Sequence, residues 1–457
     1  MNILHYSLGL PPYRTGGLTK YSIDLMKEQV ENGDKVCLLF PGKFNLISRI
    51  SSIGYYKKYL DIDVYEIINP LPVPLLSGIS HPQEFMRACD KSIFQRFLKK
   101  NSIEVVHIHT LMGLYKEFLE VCNELNIKVF YTSHDYFGLC TKVNFIDNYG
   151  QLCENRDLSK CVECNMYATS IKKIKVLQSP LYRFFKNIGG VEKLKKLQNK
   201  VNYNKARSDE DLGQYEKVSD NQIKELQELY DYYESMFSKI DLFLFNSSVA
   251  KSVYEKYIDC EGEVVPITHS DIKDKRKTKN FDNHKLKLTY LGPEKKYKGF
   301  DMLMDTMKAI NNEYKDMFEL NMYGDIKNNN FDTNIKAHGR YSYDDLEIIF
   351  DNTDLLIVPS IWYETFGFIV LEAFSYGVPV LVTDRVGSKD IIQDVNLKKG
   401  LILNINKCIL RISINEIIGN RKILEEINNN ILKSEFPYSI DEHARIINEK
   451  YKKITEN

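Results

Sequence analysis

Two glutamates, Glu364 and Glu372, stand a little over two helical turns apart in the stretch SIWYETFGFIVLEAFSYG. Carboxylates so spaced can both face one crevice and act as a two-point clamp. Thr365, Phe366 and Gly367 lead from the first glutamate into an apolar run of helical length. The amides of Phe366, Gly367 and Phe368 then fall at the positive end of a helix, where an anion such as a diphosphate is stabilised, and Gly367 lets that anion approach closely. The run DLLIVPS just before it reads as a buried parallel strand closed by Pro359 and Ser360.

Other residues suit other chemistry. Cys140, Cys153, Cys161 and Cys164 follow the pattern C-x12-C-x7-C-x2-C, which fits a closed tetrahedral zinc site. Such a site is structural, because all four ligand positions are filled; no catalytic metal is expected. Cys37, Cys89, Cys122 and Cys408 read as inert thiols in apolar or helical surroundings, and Cys260 as part of a polar turn. His107 and His109 share one face of a strand, a spacing open to a metal pair or to histidines satisfied by hydrogen bonds at a strand end. Asp61-x-Asp63 is too common a pattern to mark a diphosphate-metal site. Gly16-Gly17 follows the first strand, where open α/β sheets bind ligands, yet it is no GxGxxG fingerprint. A dinucleotide-dependent dehydrogenase is disfavoured.

The elements that must position these residues alternate between strand and helix, the pattern of doubly wound parallel sheets. Strands are expected at Ile3–Tyr6, Lys35–Phe40, Glu104–His109, Lys128–Ser133, near Asp241 and at Val264–Pro266. A second series is expected at Lys287–Leu291, Leu320–Tyr323, across DLLIV and at Val380–Thr383. A chain of 457 residues exceeds what one core supports. The expected division is a first Rossmann-like domain over 1–270, a polar linker over 271–284, a second such domain over 285–435, and a crossover helix within 436–457. The first domain carries the Cys-rich loop 140–164 and a helical insertion over 171–240. Basic and acidic side chains cancel at 62 each, which excludes a general pull toward nucleic acid. No apolar run is long enough to span a bilayer, and the N-terminus lacks the basic region of a signal peptide, so a cytoplasmic location is expected.

Pro359-Ser360, Trp362, Glu364 through Gly367, Glu372-Ala373 and Gly377-x-Pro379 resemble the donor-binding segment of the retaining GT-B glycosyltransferases of family 4. The likeness covers nearly the whole chain and is weakest from Ile171 to Lys239. It implies an α/β fold of two Rossmann-like domains facing across a cleft, with a C-terminal helix crossing back to the first. It also implies roles: Glu364 on the donor sugar's hydroxyls, Glu372 on the nucleotide's ribose, and the intervening amides, with Thr365, around the diphosphate. Gly292 and Lys298-Gly299 match a family pattern in which Lys298 binds the diphosphate. The arginine usual after the glycine is Pro293 here, and Lys295 or Lys296 is the expected replacement. His134 matches a histidine near the donor sugar, Gly17 a loop touching diphosphate and acceptor, and Gly324 with His338–Tyr341 the border of the base. Asp390 stands where the family commonly has Glu. HDYFGLCTKVNFIDNYGQLC followed by CVEC is similar to a four-cysteine insertion in a subset of the family.

The activity so implied is retaining transfer of a sugar from a UDP- or GDP-sugar to a hydroxyl of a carbohydrate or lipid-linked acceptor, in cell-surface polysaccharide or glycolipid synthesis. A nucleotide-sugar epimerase and a non-catalytic nucleotide-sugar-binding subunit are the alternatives. Lys172, Lys173, Lys175, Arg183, Lys186, Lys193, Lys195, Lys196 and Lys200 face one acid, Glu192, among Leu177, Leu181, Phe184 and Phe185. They form either a solvated insertion or a peripheral contact with an anionic membrane face or a polyprenyl-diphosphate acceptor.

Overall fold

The computed structural model describes residues 1–45, 48–189, 218–282, 285–327, 330–394 and 396–456. Lys193, Lys195, Lys196, Lys200 and Glu192 of the basic stretch lie outside them. Eight strands form the first sheet: β1 (Asn2–Tyr6), β2 (Lys35–Pro41), β3 (Ser52–Tyr59), β4 (Ile62–Ile68), β5 (Val105–Ile108), β6 (Lys128–Thr132), β7 (Leu242–Phe245) and β8 (Gly262–Val264). Their order is β3-β4-β2-β1-β5-β6-β7-β8, parallel except for the β3–β4 hairpin. Six parallel strands form the second: β9 (Leu286–Leu291), β10 (Phe318–Tyr323), β11 (Ile335–Gly339), β12 (Leu355–Val358), β13 (Val380–Thr383) and β14 (Leu401–Leu403), ordered β11-β10-β9-β12-β13-β14. Helices cover both faces of such sheets, so central strands such as β7 and β12 are buried at every residue and read as continuous apolar runs.

In each sheet the order reverses beside its first strand, between β1 and β5 and between β9 and β12. These are the topological switch points, where ligands bind beyond the carboxyl ends of the strands. The helix Ile440–Thr455 then crosses to the first domain. His443 Nε2 lies 2.9 Å from Tyr21 Oη, and Tyr451 Oη 2.5 Å from His107 Nδ1. One apolar cluster runs without a break from Ile3, Tyr21 and Val105 through Ile447 and Tyr451 to Val370 and Leu371, so the crossing helix shares a core with both domains.

Several expectations shift. β8 is Gly262–Val264, earlier than Val264–Pro266, because Gly262 is drawn into register with Phe243. His338 and Gly339, expected at the border of the base, close the edge strand β11. Asp61 sits at φ 62° in the turn of the β3–β4 hairpin, paired with Lys58. The described part of the polar segment 271–284 is strapped to the second domain: Lys275 N donates to Ser375 O at 2.8 Å, and Arg276 to Ile431 O at 2.7 Å. Cys408 is exposed in the first turn of the helix Lys407–Gly419, not a core thiol, because that helix turns its buried face through Leu410, Ile414, Ile417 and Ile418. Arg183 is no surface charge: its guanidinium is buried 2.6 Å from Glu66. Leu181, Phe184 and Phe185 face outward instead.

Candidate active site

The loop after β12 meets the loop after β9 at Gly299. Gly299 has φ 76°, and a Cβ there would lie 1.8 Å from the Pro359 carbonyl oxygen, so only glycine lets the two loops touch. That approach brings Lys298 Nζ to 2.6 Å from Glu364 Oε1, while Ser360 Oγ donates to Glu364 Oε2 at 2.7 Å. Both charges are largely withdrawn from solvent, with side-chain exposures of 23% and 12%. The ammonium also lies 5.0 Å over the Trp362 ring. Glu364 is held by its backbone, its N–H donating to Arg385 O and its carbonyl accepting from Gly387 N.

Thr365 and Gly367 carry the loop across to the first domain. Thr365 Oγ1 donates to the His134 carbonyl at 2.9 Å, and Ser247 Oγ donates to the Thr365 carbonyl at 2.6 Å. Gly367, at φ 91°, precedes the helix Phe368–Ser375, whose first turn has no side-chain cap. The amides at that end are thus not claimed by a side chain. Ser388 donates to the carbonyls of Phe366 and Gly367 through its backbone N–H and hydroxyl, at 2.7 and 3.0 Å. Gly17 packs on the same turn from the other side: a Cβ on it would meet the Phe368 ring at 3.3 Å. Asp390 accepts from the N–H and hydroxyl of Ser248, both at 2.6 Å, and so joins the domains.

Glu372 is buried in the same helix, with Oε1 3.4 Å from His269 Nε2, a buried nitrogen that has no hydrogen-bond partner among the described residues. Edge contacts seat His269 between Phe368 and Tyr343. Burial, and next the nearby Glu372 charge, push the phenols of Tyr341 and Tyr343 up. Sequence reasoning missed His269, a single histidine between Thr268 and Ser270 with no motif around it.

Gly324, Lys295, Lys296 and His134 have surroundings of their own. Gly324, at φ 142°, would place a Cβ 2.1 Å from Gly292 O, so it serves the close approach of the β9 and β10 ends. Lys295 precedes the short turn Lys296–Lys298 and lies within electrostatic reach of Asp325, which Arg340 pairs at 2.7 Å. Lys296 lies along Gly150 of the first domain. His134 sits at the tip of β6 with Nε2 3.2 Å from His109 Nδ1, and burial lowers its pKa to about 3.

Cys161 and Cys164 lie one turn apart on the helix Leu158–Asn165. Burial raises all four thiols of the Cys-rich loop, and Cys140, Cys161 and Cys164 each add to the rise at Cys153. They therefore share one neighbourhood. Among the described residues, the one trio of candidate ligand atoms lying within 4.8 Å of one another is His5, His107 and His109, so no three of the thiols converge that closely.

Residues 271–433 match the family model Glycosyl transferases group 1. Over 114 residues, 24% of this chain, the sequence is 29% identical to an uncharacterized 41.2 kDa protein in the cps region of Klebsiella pneumoniae, and the match spans 31% of that relative's length. Among solved structures, Anabaena HepE in complex with UDP has a TM-score of 0.57 at 11% identity, covering 99% of this chain and 100% of its own. The lipopolysaccharide outer core galactosyltransferase WaaB, in its apo form, also has a TM-score of 0.57, at 13% identity, with coverage of 99% and 100%. The chain has the GT-B fold, and the part of it that matches the glycosyl transferases group 1 model is residues 271–433.

Proposed function

We propose that the protein is a retaining glycosyltransferase of family 4, moving a sugar from a UDP- or GDP-sugar to a hydroxyl of a carbohydrate or lipid-linked acceptor. The observation that carries this reading is the Lys298–Glu364 pair beside the uncapped helix start at a switch point of the second sheet. An ammonium and unclaimed helix amides suit a departing diphosphate, whose stabilisation is the main catalytic term. Glu364 suits the donor sugar's hydroxyls, and Glu372, screened from water beside His269, suits the ribose. Thr365 and Gly17 close the crevice from the two domains, which excludes water from the activated sugar. HepE was solved with UDP, which makes UDP the first nucleotide to test.

Two further assignments accompany this reading. The four neighbouring thiols of Cys140, Cys153, Cys161 and Cys164 suit one structural zinc. Leu181, Phe184, Phe185 and Ile188 are exposed beside Lys172 and Lys173, a pairing suited to peripheral contact with an anionic membrane face. Among the described residues no helix is long and apolar enough to cross a membrane.

Calorimetric titration of UDP, GDP and ADP into wild-type protein and Glu372→Ala tests the donor site. One nucleotide is expected to bind, more than about tenfold weaker in the variant, or about 1.4 kcal/mol. If no nucleotide binds to folded protein, the transferase reading fails.

A further inference from the structure

His134 ends a hydrogen-bond chain, buried at its centre, that runs back to the crossing helix. Its Nε2 lies 3.2 Å from His109 Nδ1, and His109 Nε2 lies 2.9 Å from His5 Nδ1. His5 Nε2 is 2.7 Å from Gln29 Oε1. Gln29 Nε2 donates to Asn448 Oδ1 at 2.9 Å, and Asn448 Nδ2 donates to Asp34 Oδ2 at 2.7 Å. His5, Gln29 and His109 are fully buried.

The direction of every bond follows from the last one. A carboxylate only accepts, so Asn448 turns its amide nitrogen to Asp34 and its carbonyl to Gln29. Gln29 must then donate to Asn448, which turns its own carbonyl to His5. His5 therefore carries its proton on Nε2 and offers a lone pair at Nδ1. Burial lowers the pKa of His5 to about 4 and holds His109 well below the ordinary histidine value, so each ring is neutral, with one proton and one lone pair. His109 donates from Nε2 and accepts at Nδ1, and His134 donates to it from Nε2. The order leaves a lone pair on His134 Nδ1, which has no partner among the described residues and is not among the buried unpaired atoms. His107 stands outside the chain, its two nitrogens bonded to Tyr451 and Thr132. With His5 and His109 bonded to each other, the three rings have no converging lone pairs left for a metal.

We propose that Asp34, Asn448, Gln29, His5 and His109 are positioning residues that lock His134 as the Nε2-protonated tautomer, so that its Nδ1 accepts a hydroxyl of the donor sugar. The sugar's place beside His134 rests on the transferase reading; the tautomer does not. Through Asn448 the lock also depends on the docking of the crossing helix. Without Gln29, the buried N–H of His5 loses its acceptor. Reversing the chain then moves the surplus proton outward to His134 Nδ1, and the competent fraction falls.

Long-range proton–nitrogen correlation spectra of histidine-labelled full-length protein read the tautomer directly, with His134→Asn used to assign the signal. A bare Nδ1 and a protonated Nε2 on His134 are expected; the opposite tautomer, or a mixture of both, overturns the proposal. Gln29→Met should populate the reversed tautomer and weaken UDP-glucose binding by about three- to tenfold while leaving UDP binding unchanged, since UDP has no sugar to meet His134. A Gln29→Met protein that keeps a single Nε2-protonated His134 and full UDP-glucose affinity also overturns it. Should that variant fail to fold, the wild-type spectrum decides alone. Absence of UDP binding in wild type would count against the transferase reading while the spectrum still judges the chain.

Discussion

Lys298 and Glu364 are paired to each other at 2.6 Å, although one is assigned to the donor's diphosphate and the other to its sugar. A diphosphate reaching Lys298 must compete with the carboxylate already there. Glu364→Gln keeps the side chain's size and its contact with Ser360 while removing the competing charge. A charge-assisted hydrogen bond at such a partly buried site contributes about 1–2 kcal/mol net. Releasing it should tighten UDP by about five- to thirtyfold. Sugar transfer should move the other way, because an amide replaces the charged acceptor at the sugar's hydroxyls. A loss of about 2.7 kcal/mol in the transition state is about a hundredfold in kcat/KM. Titration calorimetry with UDP and initial rates of sugar transfer, at one ionic strength, measure the two effects. Lys298→Met should lose both. If Glu364→Gln binds UDP no more tightly than wild type while melting at the same temperature, the pair does not gate the site and the assignment of Lys298 is wrong.

The buried histidines predict an acid-sensitive fold. His5 and His443 are lowered from 6.5 to about 4 and His134 to about 3, so below pH 6.5 the unfolded chain binds protons that the folded one refuses. Stability is therefore full above pH 6.5 and falls toward pH 4, by up to about 1.4 kcal/mol per pH unit for each such histidine. A urea midpoint unchanged between pH 7 and pH 5 would refute this. Elemental analysis should find one zinc per chain, lost in Cys161→Ser with a lower melting temperature; zinc-free protein at full activity with four freely reactive thiols would end that assignment. Vesicles rich in phosphatidylglycerol should bind the wild-type protein about tenfold more tightly than Leu181→Asp/Phe184→Asp. Equal sedimentation of the two proteins would remove the membrane contact.

The double-wound architecture was legible because parallel strands covered on both faces leave uninterrupted apolar runs, as in LLIV of β12 and VLVT of β13. The β3–β4 hairpin was not. At the sheet's edge, Ser52–Tyr59 mixes Gly54, Lys57 and Lys58 with half-exposed aromatics and carries no such run. The helix after Gly367 and the loop around Glu364 could be placed from local spacing, and so could the clustering of four cysteines within one loop.

Local spacing does not say which distant segments meet. Glu364 and Lys298 are separated by 66 positions, and their contact depends on Gly299 admitting the Pro359 carbonyl. Arg183 reads as one more surface cation until the fold sets it against Glu66, 117 positions away. His269 gains meaning only where the segment after β8 passes Phe368 and Glu372. The order of protons from Asp34 to His134 needs β1, β5 and β6 side by side and the crossing helix laid against them. The sequence by itself determined the central strands, their double-wound class and the residue types at the crevice, because burial and backbone preference act over a few neighbouring positions. Partners and proton order came from the tertiary structure alone, because a hydrogen bond's direction depends on every group it is connected to, however far apart those groups lie in the chain.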